Sequence, residues 1–144
     1  MENTELNILD EINKGATMGM DAISFIKDKV GDKEFRQVLN IEYNKYQEIL
    51  QRVNNIYNNY SSKEPHEPNK MEKAMTWYGV QMQTLKDKSN SNISELLLKG
   101  TNMGIIEGRR LLNQHQNISP RIHNLLNEFV SMQENSAQTL KKYL

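Results

Sequence analysis

Two stretches of this chain read almost alike: Lys14-Gly15-Ala16-Thr17-Met18-Gly19-Met20 and Lys99-Gly100-Thr101-Asn102-Met103-Gly104-Ile105. Each sets glycines four residues apart inside a segment whose apolar spacing is helical. A glycine in a helix interior costs roughly 1 kcal/mol relative to alanine. Four such positions in two helices therefore call for a compensating gain, and the simplest is two backbones in close approach. The repeat defines an architecture and carries no chemistry, and no catalytic motif stands beside it.

With 144 residues the chain matches the commonest size of a single domain. Lysine plus arginine and aspartate plus glutamate balance at 18 each, so net charge gives no reason to expect nucleic acid or an acidic membrane as partner. Residues 1–61 carry 7 basic and 10 acidic side chains and residues 62–144 carry 11 and 8, an asymmetry too small to steer a ligand. The absence of cysteine removes disulfides, thiolate metal sites and thiol nucleophiles together. The acidic start Met1-Glu2-Asn3-Thr4-Glu5 is unlike a signal peptide, and no run reaches the ~18 apolar residues of a membrane span. The expected location is cytoplasmic.

The spacing predicts a first helix over about 4–30, with Ile8, Ile12, Gly15, Gly19, Ala22 and Ile26 on one row. Gly31 is expected to end it in the left-handed conformation, and Asp32 to cap the next helix. That helix, about 33–60, places Phe35, Leu39, Tyr43, Tyr46, Leu50, Val53, Tyr57 and Tyr60 on one stripe. Its tyrosines are read as core rings with hydroxyls at the rim. Residues 61–69, with two of the three prolines, form the one convincing loop. The stripe resumes at Met71, Met75, Tyr78, Met82 and Leu85 and then meets the polar run at 86–92. An unbroken helix over residues 69–115 would be about 70 Å long at 1.5 Å per residue. A break or kink is therefore expected near 89–92, where Asn92 and Glu95 resemble a capping box. A helix over about 93–114 then carries Leu96, Leu97, Gly100, Met103, Gly104, Ile106 and Leu111, with Gly108 extending its ridge of small residues. Ser119-Pro120 starts a last helix with Ile122, Leu125, Phe129, Met132 and Leu140 inward.

The likeness continues from Glu42-Tyr43 and Gln47-Glu48 to Glu128-Phe129 and Gln133-Glu134 at the same interval. Two helical hairpins, residues 4–61 and 92–144, are joined by a loop and crossover at 62–91. The expected fold is all-α, an antiparallel four-helix bundle of two pseudo-repeated hairpins with an extra helical crossover. Its Gly15/Gly19 and Gly100/Gly104 ridges are expected to pack helix on helix.

With Asp87-Lys88-Ser89, the second glycine phrase and Leu140-Lys141-Lys142-Tyr143-Leu144, the chain resembles small ferritin-like bundle proteins of Gram-positive bacteria (Firmicutes). The resemblance spans nearly the full chain and implies a ferritin-like fold, which hosts oxidases, iron stores and metal-free proteins alike. Ferritin-like di-metal enzymes take a carboxylate from each of two helices and a Glu-x-x-His pair from each of the other two. Here Lys45 follows Glu42 by three and Ser131 follows Glu128, while His66, His115 and His123 follow no glutamate at that interval. Asp21, Glu42, Glu107 and Glu128 do fall at about the same height, one per helix. Asp21 shares a face with Lys14, Thr17, Ser24 and Asp28, and Glu107 has Arg110 as a ready partner, so the four read as surface charge before they read as a metal site. An all-carboxylate site would in any case favour hard cations.

His66 between Glu64 and Glu67 sits in a proline-rich loop, a poor scaffold for a metal. Arg109-Arg110 is a pair and not a nucleic-acid patch. Met71, Met75, Trp77, Tyr78 and Met82 are either a packed seam, since methionine adapts to its neighbours, or an exposed face for a partner. The function expected from the sequence is a non-enzymatic interaction or structural bundle without cofactor, self-associating or bound to a protein through that face. The alternative is a divergent ferritin-like metal binder using the mid-bundle carboxylates.

Overall fold

The computed structural model describes residues 2–60 and 72–144. Five α-helices lie among them: α1 (Glu2–Ile26), α2 (Lys33–Tyr60), α3 (Glu72–Gln83), α4 (Asn90–Gln114) and α5 (Pro120–Lys141). Helix α1 lies along α2 and α4 along α5 as two extensively packed hairpins, with α3 against α1 and α4. The architecture is the all-α, four-helix arrangement with an additional crossover helix that the spacing predicts.

The helix ends follow local chemistry. Asp32 Oδ1 accepts from the Phe35 amide at 3.0 Å and caps α2, while Ser119 accepts from Ile122 ahead of Pro120 and caps α5. Two expectations are corrected. Helix α1 stops at Ile26 and tightens into a 3-10 turn over Lys27–Lys29, with Val30 extended. Gly31 does not adopt a positive φ, because that tighter turn already reverses the chain. The crossover does break, but the cap of α4 is Ser89, whose hydroxyl accepts from the Asn92 amide at 3.2 Å. Asn92 instead donates its side chain to the Asp87 carbonyl at 2.7 Å, so the polar run is a stop and a restart stitched by Asp87, Ser89 and Asn92.

One continuous core runs between the hairpins, with Ile8, Leu9 and Ile12 of α1, Phe35, Leu39 and Val53 of α2, Ile93 of α4 and Ile122, Leu125 and Leu126 of α5 among its most buried members. Burying each such side chain contributes roughly 1.5–3 kcal/mol. Glu5, itself buried, accepts from the Ser119 amide at 3.2 Å; a carboxylate there also faces the positive end of the α5 dipole. At the other end the rings of Phe35 and Tyr143 stack at 4.3 Å and 7°, fastening the C-terminus to the start of α2. Ile106, one of the apolar residues along α4, is 57% exposed. The inner register of α4 runs through Leu97, Thr101 and Gly108 instead.

No helix among the described residues is long and apolar enough to cross a membrane.

Candidate functional site in the bundle interior

The glycines make room for side chains rather than for each other's backbones. A Cβ added at Gly15 would fall 2.9 Å from Cζ of Phe129, and one at Gly19 would fall 2.5 Å from Cζ of Tyr46. Those two rings, from α5 and α2, meet edge to face at 6.4 Å and 67°. On α4, Gly100 receives the ring of Tyr78 from α3, Gly104 the Gln133 amide, and Gly108 a methyl of Val130. The expected helix-on-helix glycine seam is thus corrected. Each notch admits a side chain from another helix, and dispersion and burial of that side chain offset the cost of glycine.

Because rings and amides are drawn beneath α1 and α4, these two helices flank a cavity of about 400 Å³. Gly15, Gly19, Gly100, Gly104 and Gly108 all line it, Leu39, Glu42 and Tyr46 enter from α2, and Gln133, Ser136 and Leu140 enter from α5. The volume is that of a small-molecule pocket, about 300–1,000 Å³.

Its polar chemistry centres on Glu42, which is 4% exposed. Burial pushes its carboxyl above the ordinary glutamate range, against the opposing pull of a hydrogen bond from Ser136 and the charge of Lys45. Desolvation is the largest of the three effects and sets the direction. Glu42 Oε2 and Gln133 Oε1 have no hydrogen-bond partner among the described residues. Nearby, burial raises the phenols of Tyr46 and Tyr78 well above the usual tyrosine range, with Glu42 adding to the effect at Tyr46 and Thr101 opposing it through a hydrogen bond. Both phenols are therefore neutral. Thr101 donates its hydroxyl to the Leu97 carbonyl at 2.9 Å. Lys14, read from the sequence as solvated, is buried at the cavity wall and paired with Glu11 at 3.4 Å.

The four mid-height carboxylates separate. Glu42 is inside, and Glu107 borders the cavity while holding Arg110 at 2.8 Å. Glu128 is ion-paired to Arg52 on the outside, and Asp21 is exposed. The reading of Glu42 as surface charge is corrected: it follows Leu39 by three and precedes Tyr46 by four, which puts all three on the buried face. A ferritin-like di-metal centre does not fit these residues. Among the described residues no three histidine, cysteine, aspartate or glutamate side chains converge to hold a metal, and neither His115 nor His123 lines the cavity.

Of the suggested partner face, Tyr78 and Met82 turn inward, 7% and 3% exposed, so these two are core; the side chains of Met71, Met75 and Trp77 lie outside the described residues, as does the His66 loop.

These helices define a ferritin-like bundle. The fold matches that of a dodecameric thioferritin, the bacterioferritin-related protein from Bacteroides fragilis, with a TM-score of 0.77 at 8% identity over 99% of this chain and 85% of that one. The likeness establishes the fold and, coming from Bacteroides, lends nothing to a restriction to Gram-positive bacteria. No protein-family model matches the sequence, and no curated protein matches it.

Proposed function

We propose that this protein is a non-enzymatic ferritin-like bundle that binds a small organic molecule between α1 and α4. The observation that carries the reading is the cavity of about 400 Å³ in which Glu42 and Gln133 present unpartnered acceptors. A buried polar atom without a partner costs roughly 1–3 kcal/mol, a cost that a bound donor removes. Assembly with further copies of the chain belongs to the same proposal, supported by the dodecameric state of the thioferritin that shares the fold.

A second reading, a single divalent cation held by Glu42 and neighbouring oxygens, is favoured by the same unpartnered Oε2 and by the kinship of fold. It supplies one buried carboxylate where a hard cation takes six or more oxygens, so the organic ligand is preferred. Thermal-shift measurements with Fe(II) and Mn(II) beside a set of small organic molecules separate the two. Stabilisation by organic compounds alone supports the proposal, and stabilisation by the metals alone contradicts it. Light scattering on the same samples reads the assembly; a monodisperse monomer contradicts that part.

A further inference from the structure

Two buried acceptors stand out in the hydrogen bonding around the cavity. Three of its donors have partners: Ser136 on Glu42, Thr101 on the Leu97 carbonyl, Lys14 on Glu11. Among the described residues, two fully buried acceptors have no partner, Glu42 Oε2 and Gln133 Oε1, on side chains 4% and 2% exposed. Around them stand hydrocarbon and ring surfaces, including Leu39, Leu140, Tyr46 and Tyr78. An anion would meet the Glu42 carboxylate, and a pure hydrocarbon would leave both acceptors unsatisfied. A group with several N–H donors supplies what both acceptors lack, and a positive charge on it answers the carboxylate and suits the faces of the tyrosines.

We infer that the cavity is a site for a small primary amine bound as its ammonium ion, with N–H groups donated to Glu42 Oε2 and Gln133 Oε1 and a hydrocarbon body against Leu39, Leu140, Tyr46 and Tyr78. This rests on the reading of the interior as a ligand cavity. Lys14 does not exclude it, because Glu11 holds that ammonium. Ordered water is the competing occupant, since it too donates to both acceptors.

The test is calorimetric titration of the full chain with n-hexylamine, 1-hexanol and MnCl2, repeated on Glu42→Gln and on Gln133→Met, each checked for helical content by circular dichroism. Hexylamine is expected to bind once per chain and more tightly than hexanol. Each substitution should weaken the amine roughly tenfold or more, the scale of a lost charge-assisted hydrogen bond, and weaken hexanol distinctly less. Hexanol binding as tightly as hexylamine overturns the amine assignment while the cavity reading stands. If neither organic compound binds, the interior is hydrated and both readings fall; Mn(II) binding that Glu42→Gln abolishes overturns both in favour of a metal.

Discussion

The ring of Tyr46 lies against the backbone of Gly19, so close that a Cβ there would sit 2.5 Å from Cζ. Gly19→Ala is therefore an overpacking change. It should cost about 1–3 kcal/mol even though alanine gains roughly 1 kcal/mol in helix propensity, and Gly19→Leu should cost well over that range. Shortening the ring in Tyr46→Leu should rescue much of the Gly19→Ala loss, a non-additivity that a double-mutant cycle by denaturant unfolding measures directly.

Gly31→Ala is the contrasting case. Among the described residues nothing lies within 4 Å of its added Cβ and its φ is not positive, so the substitution acts mainly on the unfolded chain. The expected outcome is between no change and a gain of about 1 kcal/mol, read as an unchanged or higher denaturation midpoint. Gly104→Leu drives into the Gln133 amide, the end of a flexible side chain, and should cost less than Gly19→Leu.

Burial raises the Glu42 carboxyl above its ordinary value of 4.5, so the folded state binds the proton more tightly than the unfolded one. Stability contributed by that proton is present below the ordinary value and is lost as pH rises through the raised one. Glu42→Gln should remove this dependence, melting higher than the parent at neutral pH and much like it in acid. Thermal melts across pH 4 to 8 check the sign; a variant that loses stability at neutral pH would show Glu42 to be favourably ionised.

Arg52 and Glu128 pair across α2 and α5 at about half exposure each, where solvent screening holds such pairs to about 1 kcal/mol or less. Arg52→Ala should shift the denaturation midpoint by no more than that. Glu128→Ala should leave every ligand response of the interior untouched.

The register of this fold was legible where one kind of residue had one use. The limits of α2, the Asp32 and Ser119 caps and the interruption of the crossover all follow from local rules. The glycines pointed to close approach, but spacing alone does not tell a backbone from a ring as the approaching partner. Polar residues on the inner faces were harder. Glu42, Gln133 and Ser136 keep the three-and-four spacing of Leu39, Tyr46, Phe129 and Leu140, and that phase was the available signal. Charge masked it at Glu42 and at Lys14, since either side chain is usually solvated and is buried only with a partner or at a site.

The central claim is that the glycine-flanked interior is an organic cavity ending on Glu42 and Gln133. A crystal structure of protein grown with n-hexylamine, after purification without chelator, tests it most directly. The account predicts density for the amine with its nitrogen in hydrogen-bond contact with Glu42 Oε2 and Gln133 Oε1. Density for a metal on Glu42, or α1 and α4 packed together with no space between Gly19 and Gly104, would contradict it.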